Sequence, residues 1–256
     1  MLEQVTKNYG LHEGTVRALE NFSLSVNYGE RLALIGKSGV GKTTLFRLLN
    51  ATLRPTSGVL RFAGNEVGRM TLRELRAMRR SVGTVYQQHY LVPSLSVLDN
   101  ALCGQLGQLS LWQTLRGIVR PSKEDVREAE HVLESVGLVD KRHARAEALS
   151  GGQQQRLAIA RVLMQNPEVI LADEPVASLD PALADSITNL LLTLADDGKR
   201  TLIVALHNVE LALRYFPRIV ALSRGSVAFD VDATDLSRDV LDDFYVHDRR
   251  PLAEER

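Results

Sequence analysis

The run Gly36-Lys37-Ser38-Gly39-Val40-Gly41-Lys42-Thr43 sits between an apolar stretch, Arg31-Leu32-Ala33-Leu34-Ile35, and a segment with helical spacing from about Lys42 to Asn50. That order of buried strand, glycine loop and helix is the context a G-x-x-x-x-G-K-[ST] pattern requires, and it commits the chain to an α/β fold built on a parallel sheet. Gly36, Gly39 and Gly41 let the backbone approach phosphate oxygens closely. Lys42 offers a point charge to the β- and γ-phosphates, and the Thr43 hydroxyl is placed to ligate Mg²⁺. The pattern points to ATP with Mg²⁺.

Two further runs, Glu168–Ala172 and Thr201–Leu206, are continuously apolar, as expected of parallel strands covered on both faces. Stretches 16–29 and 56–64, with Thr56-Ser57-Gly58 as a turn, alternate more and predict an antiparallel β layer at the edge. Between about Gln88 and Ala148 the strand signals fade, and helical spacing dominates over Lys123–Leu133. The expected organisation is an α/β core over 1–87 and 149–246, a helical subdomain inserted at 88–148, and a polar tail at 247–256.

Val169-Ile170-Leu171-Ala172-Asp173-Glu174 is an apolar strand ending in two acids. Ligands in such folds lie beyond the carboxyl ends of the strands, so both acids are expected in the nucleotide site. Asp173 is expected in the Mg²⁺ shell and Glu174 as the group that orients and polarises the attacking water. A second phosphate-suited helix start follows from Leu149-Ser150-Gly151-Gly152-Gln153-Gln154-Gln155-Arg156. Ser150 and Gln153 have the spacing of a capping box. Capping alone does not ask for Gly151 and Gly152, which weaken a first turn by roughly 1 kcal/mol each relative to alanine. Two phosphate-binding helix starts for one nucleotide imply that two copies of the chain close around ATP.

At these residues the chain resembles the ATP-binding subunits of ABC transporters, over about Leu2 to Tyr245. The resemblance implies a P-loop NTPase (RecA-like) core of ABC ATPase type, with the antiparallel layer and the inserted helical subdomain. It implies that Ser150, Gly151, Gly152 and Gln153 face the nucleotide of a partner subunit, and that Thr44 joins the phosphate loop. Gln87 matches the glutamine that reaches Mg²⁺ and water, with Gln88 a second candidate. His207 matches the histidine that contacts the γ-phosphate. Ser178-Leu179-Asp180 matches the loop that crosses the dimer interface, and Tyr9 the aromatic that stacks on adenine. The implied assembly is a homodimer with two ATP–Mg²⁺ between cradle and signature. Membrane permease subunits dock near Gln87 to Asn100, and a periplasmic or extracellular substrate-binding protein acts through them.

Within that family the chain looks most like the ATPase of phosphonate importers, on Leu45–Asn50, Gly107–Leu115, Ser150–Arg156, Leu206–Val209, Ala212–Tyr215 and Phe229-Asp230. It departs at Val231, where glycine is usual, and at Ala51 after Asn50. These departures leave the cargo open to phosphite, phosphate or a related oxyanion. The rival readings are an amino-acid importer, a lipoprotein-releasing exporter, or a soluble ABC protein of repair or translation. The last would carry a long coiled-coil insertion or two cassettes in one chain.

Charge and hydropathy agree. Lys+Arg and Asp+Glu each number 31, which weighs against a nucleic-acid partner held by phosphate neutralisation. The only cysteine, Cys103, cannot form an internal disulfide, which suits a reducing compartment. No apolar run approaches the roughly 18–20 residues that span a bilayer. The expected location is peripheral, on the cytoplasmic face of the inner membrane, with other chains supplying the span.

Overall fold

The computed structural model describes residues 1–11, 14–108, 121–177, 179–197, 199–236, 241 and 244. Ser178, the Leu109–Leu115 stretch with Trp112, Tyr245 and the tail 247–256 lie outside the described residues.

Six strands form the central sheet: β3 (Arg31–Ile35), β6 (Val82–Val85), β7 (Val169–Asp173), β8 (Thr201–Leu206), β9 (Arg218–Ser223) and β10 (Ser226–Asp232). Their order is β10-β9-β3-β8-β7-β6, parallel except for β10, which returns antiparallel to β9. The pleat sends alternate side chains to opposite faces, so each apolar run serves two cores. Ala33, Ile35, Ile170, Ala172, Val204 and Ile219 enter one. Leu32, Leu34, Leu171, Ile203, Ala205 and Val220 enter the other. This is why these strands read as unbroken hydrophobic runs.

The second core is closed by α1 (Lys42–Leu49) and by an antiparallel sheet of β1 (Leu2–Leu11), β2 (Gly14–Leu24), β4 (Ser57–Phe62) and β5 (Asn65–Glu66), in order β2-β1-β4-β5. The edge layer is therefore present, with two adjustments. β2 stops at Leu24, and Ser57 pairs with Thr6 as part of β4 rather than forming a turn. The turn signal at Gly58 marks instead a register shift in β1, where the backbone of Gln4 and Val5 comes too close for any side chain at Gly58. Helix α2 (Leu72–Ser81) starts on a Thr71–Glu74 capping box and leads into β6.

The first core is closed by helices. α3 (Val97–Leu102) and α4 (Lys123–Ser135) lie between β6 and β7 and pack on α5 (Gly151–Met164). α6 (Pro181–Asp197) and α7 (Val209–Tyr215) complete that side. α5 belongs to both neighbourhoods, because it touches α3 and α4 as well as β6. Val97, Ala129, Leu133, Leu149, Leu157 and Ala172 accordingly share one continuous cluster. Asn100, at 0% exposure, holds the approach to α3: its Oδ1 accepts from Val92 N–H at 2.9 Å and its Nδ2 donates to Val92 O and Ser96 O at 3.0 Å. Among the described residues, no helix is long and apolar enough to cross a membrane.

Candidate active site

β3 delivers the chain at Ile35 into the glycine loop, and Gly41 caps α1 with φ +114° and no side-chain hydrogen bond. A Cβ at Gly41 would lie 2.5 Å from Ala18 O, so both its φ and its surroundings require glycine. The first-turn N–H groups of α1 thus point out of the loop without a side-chain acceptor, as an incoming phosphate needs. Lys42 is 4% exposed, and its Nζ donates to Gly36 O at 2.6 Å and Lys37 O at 3.1 Å. Burial lowers its pKa, opposed by the nearby carboxylates of Glu174 and Asp173.

Asp173 ends β7 and is 7% exposed. Burial raises its pKa, and a hydrogen bond from the Thr43 hydroxyl opposes that rise. Its Oδ1 is buried with no hydrogen-bond partner, and an orphaned carboxylate oxygen beside a hydroxyl is a donor set suited to a hard cation. The residues present therefore fit Mg²⁺. Glu174 leaves the strand in the left-handed region, φ +51°, with its N–H donating to Ala205 O at 3.2 Å. For a non-glycine residue this conformation costs of order 1 kcal/mol or more. It turns the carboxylate to where His207 Nε2 stands 2.5 Å and Lys42 Nζ 3.5 Å from the same Glu174 oxygen, Oε1. One carboxylate oxygen thus joins the helix after β3, the end of β7 and the residue after β8.

The remaining expected residues fall into three groups. Tyr9 and Thr44 meet, Oη to Oγ1, at 3.4 Å, which sets the β1 aromatic beside the first turn of α1; Lys7 Nζ lies 5.4 Å from the Tyr9 ring centre. Gln87 is exposed two residues beyond Val85, which pairs with Ala172, so β6 delivers it beside the end of β7. Lys37, Ser38, Gly39 and Val40 form the loop's outer turn, with Val40 N–H 3.4 Å from Lys37 O. The Ser150–Gln153 group has its partners elsewhere. Ser150 N–H and Lys141 Nζ each donate to Gln153 Oε1 at 3.1 Å, and Gln154 Nε2 donates to Ala146 O and Leu149 O at 3.3 Å. Asp180 caps α6, accepting from Leu183 N–H at 3.0 Å.

The two signature glycines differ. A Cβ at Gly152 would sit 2.4 Å from the Leu183 side chain, whereas nothing lies within 4 Å of Gly151. Helix packing by itself calls for glycine at 152, whereas at 151 the space beside the backbone is open.

Sequence reasoning did not single out Arg161, Gln155 or His89 as a group. Arg161 donates to Tyr90 O at 2.5 Å and His89 O at 2.7 Å, and the His89 ring lies beside Gln155 and Gln154. These pairs lie about seventy positions apart in the chain, and no local pattern marks them. An arginine-lined cleft of about 950 Å³ opens beside them, between Arg76, Arg79, Arg80, Tyr86, Cys103 and Arg161.

Residues 19–177 match the model of the family described as ABC transporter. A phosphonates import ATP-binding protein of Cupriavidus metallidurans is 47% identical over 232 residues, covering 89% of this chain and 81% of that one. The protein of the same description from Lactococcus lactis is 40% identical over 243 residues, covering 95% and 97%. A third, from Anaeromyxobacter dehalogenans, is 46% identical over 91% of this chain, which spans only 46% of that protein's length. A solved dimeric ATP-binding cassette in a post-hydrolysis state with ADP and Pi has TM-score 0.77 and 32% identity, covering 91% of this chain and 97% of that one. A Clostridium perfringens protein described as part of an ABC transporter complex has TM-score 0.78 and 27% identity, covering 96% and 91%.

Proposed function

From the premise that this chain belongs to the ABC transporter ATP-binding family, we propose that it is the ATP-hydrolysing subunit of an importer of phosphonates or a related phosphorus oxyanion. The observation that carries the ATPase reading is the junction at Glu174, where a water-activating carboxylate, a phosphate-binding lysine and a histidine converge beyond the sheet's carboxyl edge. The cargo is carried by the relatives' descriptions, since no residue of this chain need touch it.

ATP binds with its β- and γ-phosphates against Gly36–Thr44 and its base against Tyr9. Its phosphate oxygens take over the hydrogen bonds that Lys42 now makes to Gly36 O and Lys37 O. Thr43, Asp173 and Gln87 would hold Mg²⁺, which would neutralise phosphate charge as it develops. Glu174 accepts a hydrogen bond from the attacking water and draws off its proton, while His207, beside that carboxylate, faces the γ-phosphate. The protein contributes position and electrostatics rather than covalent chemistry.

Two chains pair head to tail, each offering Ser150–Gln153 to the nucleotide in the other's cradle, with Asp180 near the seam. Helices α3 and α4 and the arginine-lined cleft receive the permease, which acts for an external substrate-binding protein. The chain works as a peripheral subunit on the cytoplasmic face of the membrane. The test is growth of the host on an alkylphosphonate as sole phosphorus source, with and without the gene and with no redundant importer. Loss of growth restored by the gene is expected. Normal growth without it would move the cargo to another branch, such as amino acids.

A further inference from the structure

Gln87 has no fixed place unless the loop that carries it is held, and the loop is held by α5 rather than by the sheet. Two successive carbonyls, His89 O and Tyr90 O, are taken by the two terminal nitrogens of the Arg161 guanidinium at 2.7 and 2.5 Å. Nearly two turns earlier on α5, Gln155 is 1% exposed and stands beside the His89 ring. The Tyr86 and Tyr90 rings meet edge to face at 5.2 Å, closing the loop on itself. Tyr90 takes a left-handed φ of +48°, so the loop adopts a backbone state that needs external support. At its far side, Arg161's own carbonyl lies where any Cβ at Gly104 would collide, which pins that turn of α5 against the segment after α3.

A half-buried guanidinium whose hydrogen bonds go to carbonyls is dearer in desolvation than an apolar side chain of equal volume. What the apolar side chain could not do is grip two adjacent carbonyls in a fixed fork. We propose that Arg161 is the positioning residue for Gln87, clamping residues 86–90 to the helix whose other end carries Ser150–Gly152, so that signature and glutamine move as one body. The clamp rests on the reading that Gln87 serves the reacting phosphate. It acts through Gln87 and touches no substrate. Its place in the wall of the arginine-lined cleft also puts it where an occupant of that cleft would shift the loop.

The test is ATP hydrolysis kinetics and thermal melting of the full chain with Arg161→Met, Arg161→Lys, Gln87→Ala and the Arg161→Met/Gln87→Ala double variant. Arg161→Met should lower kcat by about tenfold while KM for ATP stays within about twofold, the pattern of a lost transition-state contact. Arg161→Lys, able to hold one carbonyl but not both, should recover part of the loss. The double variant should be no slower than Gln87→Ala alone, because both changes remove the same contact. Full turnover in Arg161→Met beside an impaired Gln87→Ala would overturn the clamp, and so would a double variant whose loss is the product of the two single losses. Wild-type turnover in Gln87→Ala would instead remove the role of Gln87 and the clamp with it. If Arg161→Met melts early, Arg161→Lys and its double with Gln87→Ala decide by the same comparison.

Discussion

The chain has two glycine-bearing helix starts suited to phosphate, and they are built in opposite ways. At α1 the loop is closed in on itself: Lys42 is buried, bonded to two carbonyls of its own loop and within reach of Glu174, while Gly36 and Gly41 press against Leu222 O and Ala18 O. At α5 the first turn presents Gly151 to open space, and its cap is made by Ser150 and Gln153 with no charged side chain except Lys141. The first start has charge, geometry and the proposed water-activating carboxylate in one place. The second has backbone donors and nothing to react with. A complete site and an unfinished one in the same chain are what a composite site needs, each chain completing the other's.

The sharpest way to break this comparison is Glu174→Gln. If the α1 start holds all the reacting machinery, turnover should fall at least about a hundredfold while ATP binding persists, and a closed dimer should accumulate with Mg–ATP. Hydrolysis rates and sedimentation check both. Turnover within about twofold of wild type would take Glu174 out of its role.

A mixing experiment sharpens it further. Lys42→Ala should lose nucleotide affinity, and Ser150→Arg should block the open start, so neither chain hydrolyses ATP alone. Their mixture contains heterodimers with one intact pair of starts and should regain part of the activity or, where the sites are cooperative, form ATP-trapped dimers. A mixture showing neither, beside a wild type showing both, would mean the two starts do not meet across a dimer.

The smallest effect separates the signature glycines. Gly152→Ala should lower the melting temperature, because its Cβ meets Leu183; an overpacked core site costs about 1–3 kcal/mol, and each kcal/mol is about 2–4 °C in a domain of this size. Gly151→Ala should leave melting unchanged or raise it slightly, as alanine is the better helix former, yet slow hydrolysis by crowding the phosphate. Equal melting shifts for the two would erase the distinction.

Much of this was legible before the structure. Arg31–Ile35, Val169–Asp173 and Thr201–Leu206 announced themselves because strands covered on both faces carry no polar interruption. The cradle and the Asp173-Glu174 pair are local in sequence and were readable for that reason. β9, although as apolar, stood out less because no motif follows it. Other features were silent because they depend on contacts between distant residues. The left-handed turn at Glu174 that aims its carboxylate, the Leu183 contact that demands Gly152, and the grip of Arg161 on His89 and Tyr90 leave no periodic trace. Phosphate contact is the reason the sequence suggests for both signature glycines, and the Leu183 contact adds a second reason at Gly152.

The β1–β2 hairpin carries a further consequence. Tyr9 pairs with Val16 across the hairpin, and two residues along β2 the Ala18 carbonyl sets the floor under Gly41. The same carbonyl lies against Gly225, at the turn between β9 and β10. With Tyr9 and the phosphate loop as the proposed ends of the nucleotide's seat, one ribbon sets both, as a gauge block does, by length. A slip of one residue in the β1–β2 register would turn Tyr9 to the other face and leave the phosphate loop where it is. On the proposed seat, discrimination against ligands shorter or longer than a nucleoside triphosphate would be a matter of span, set by strand pairing some distance from any reacting atom.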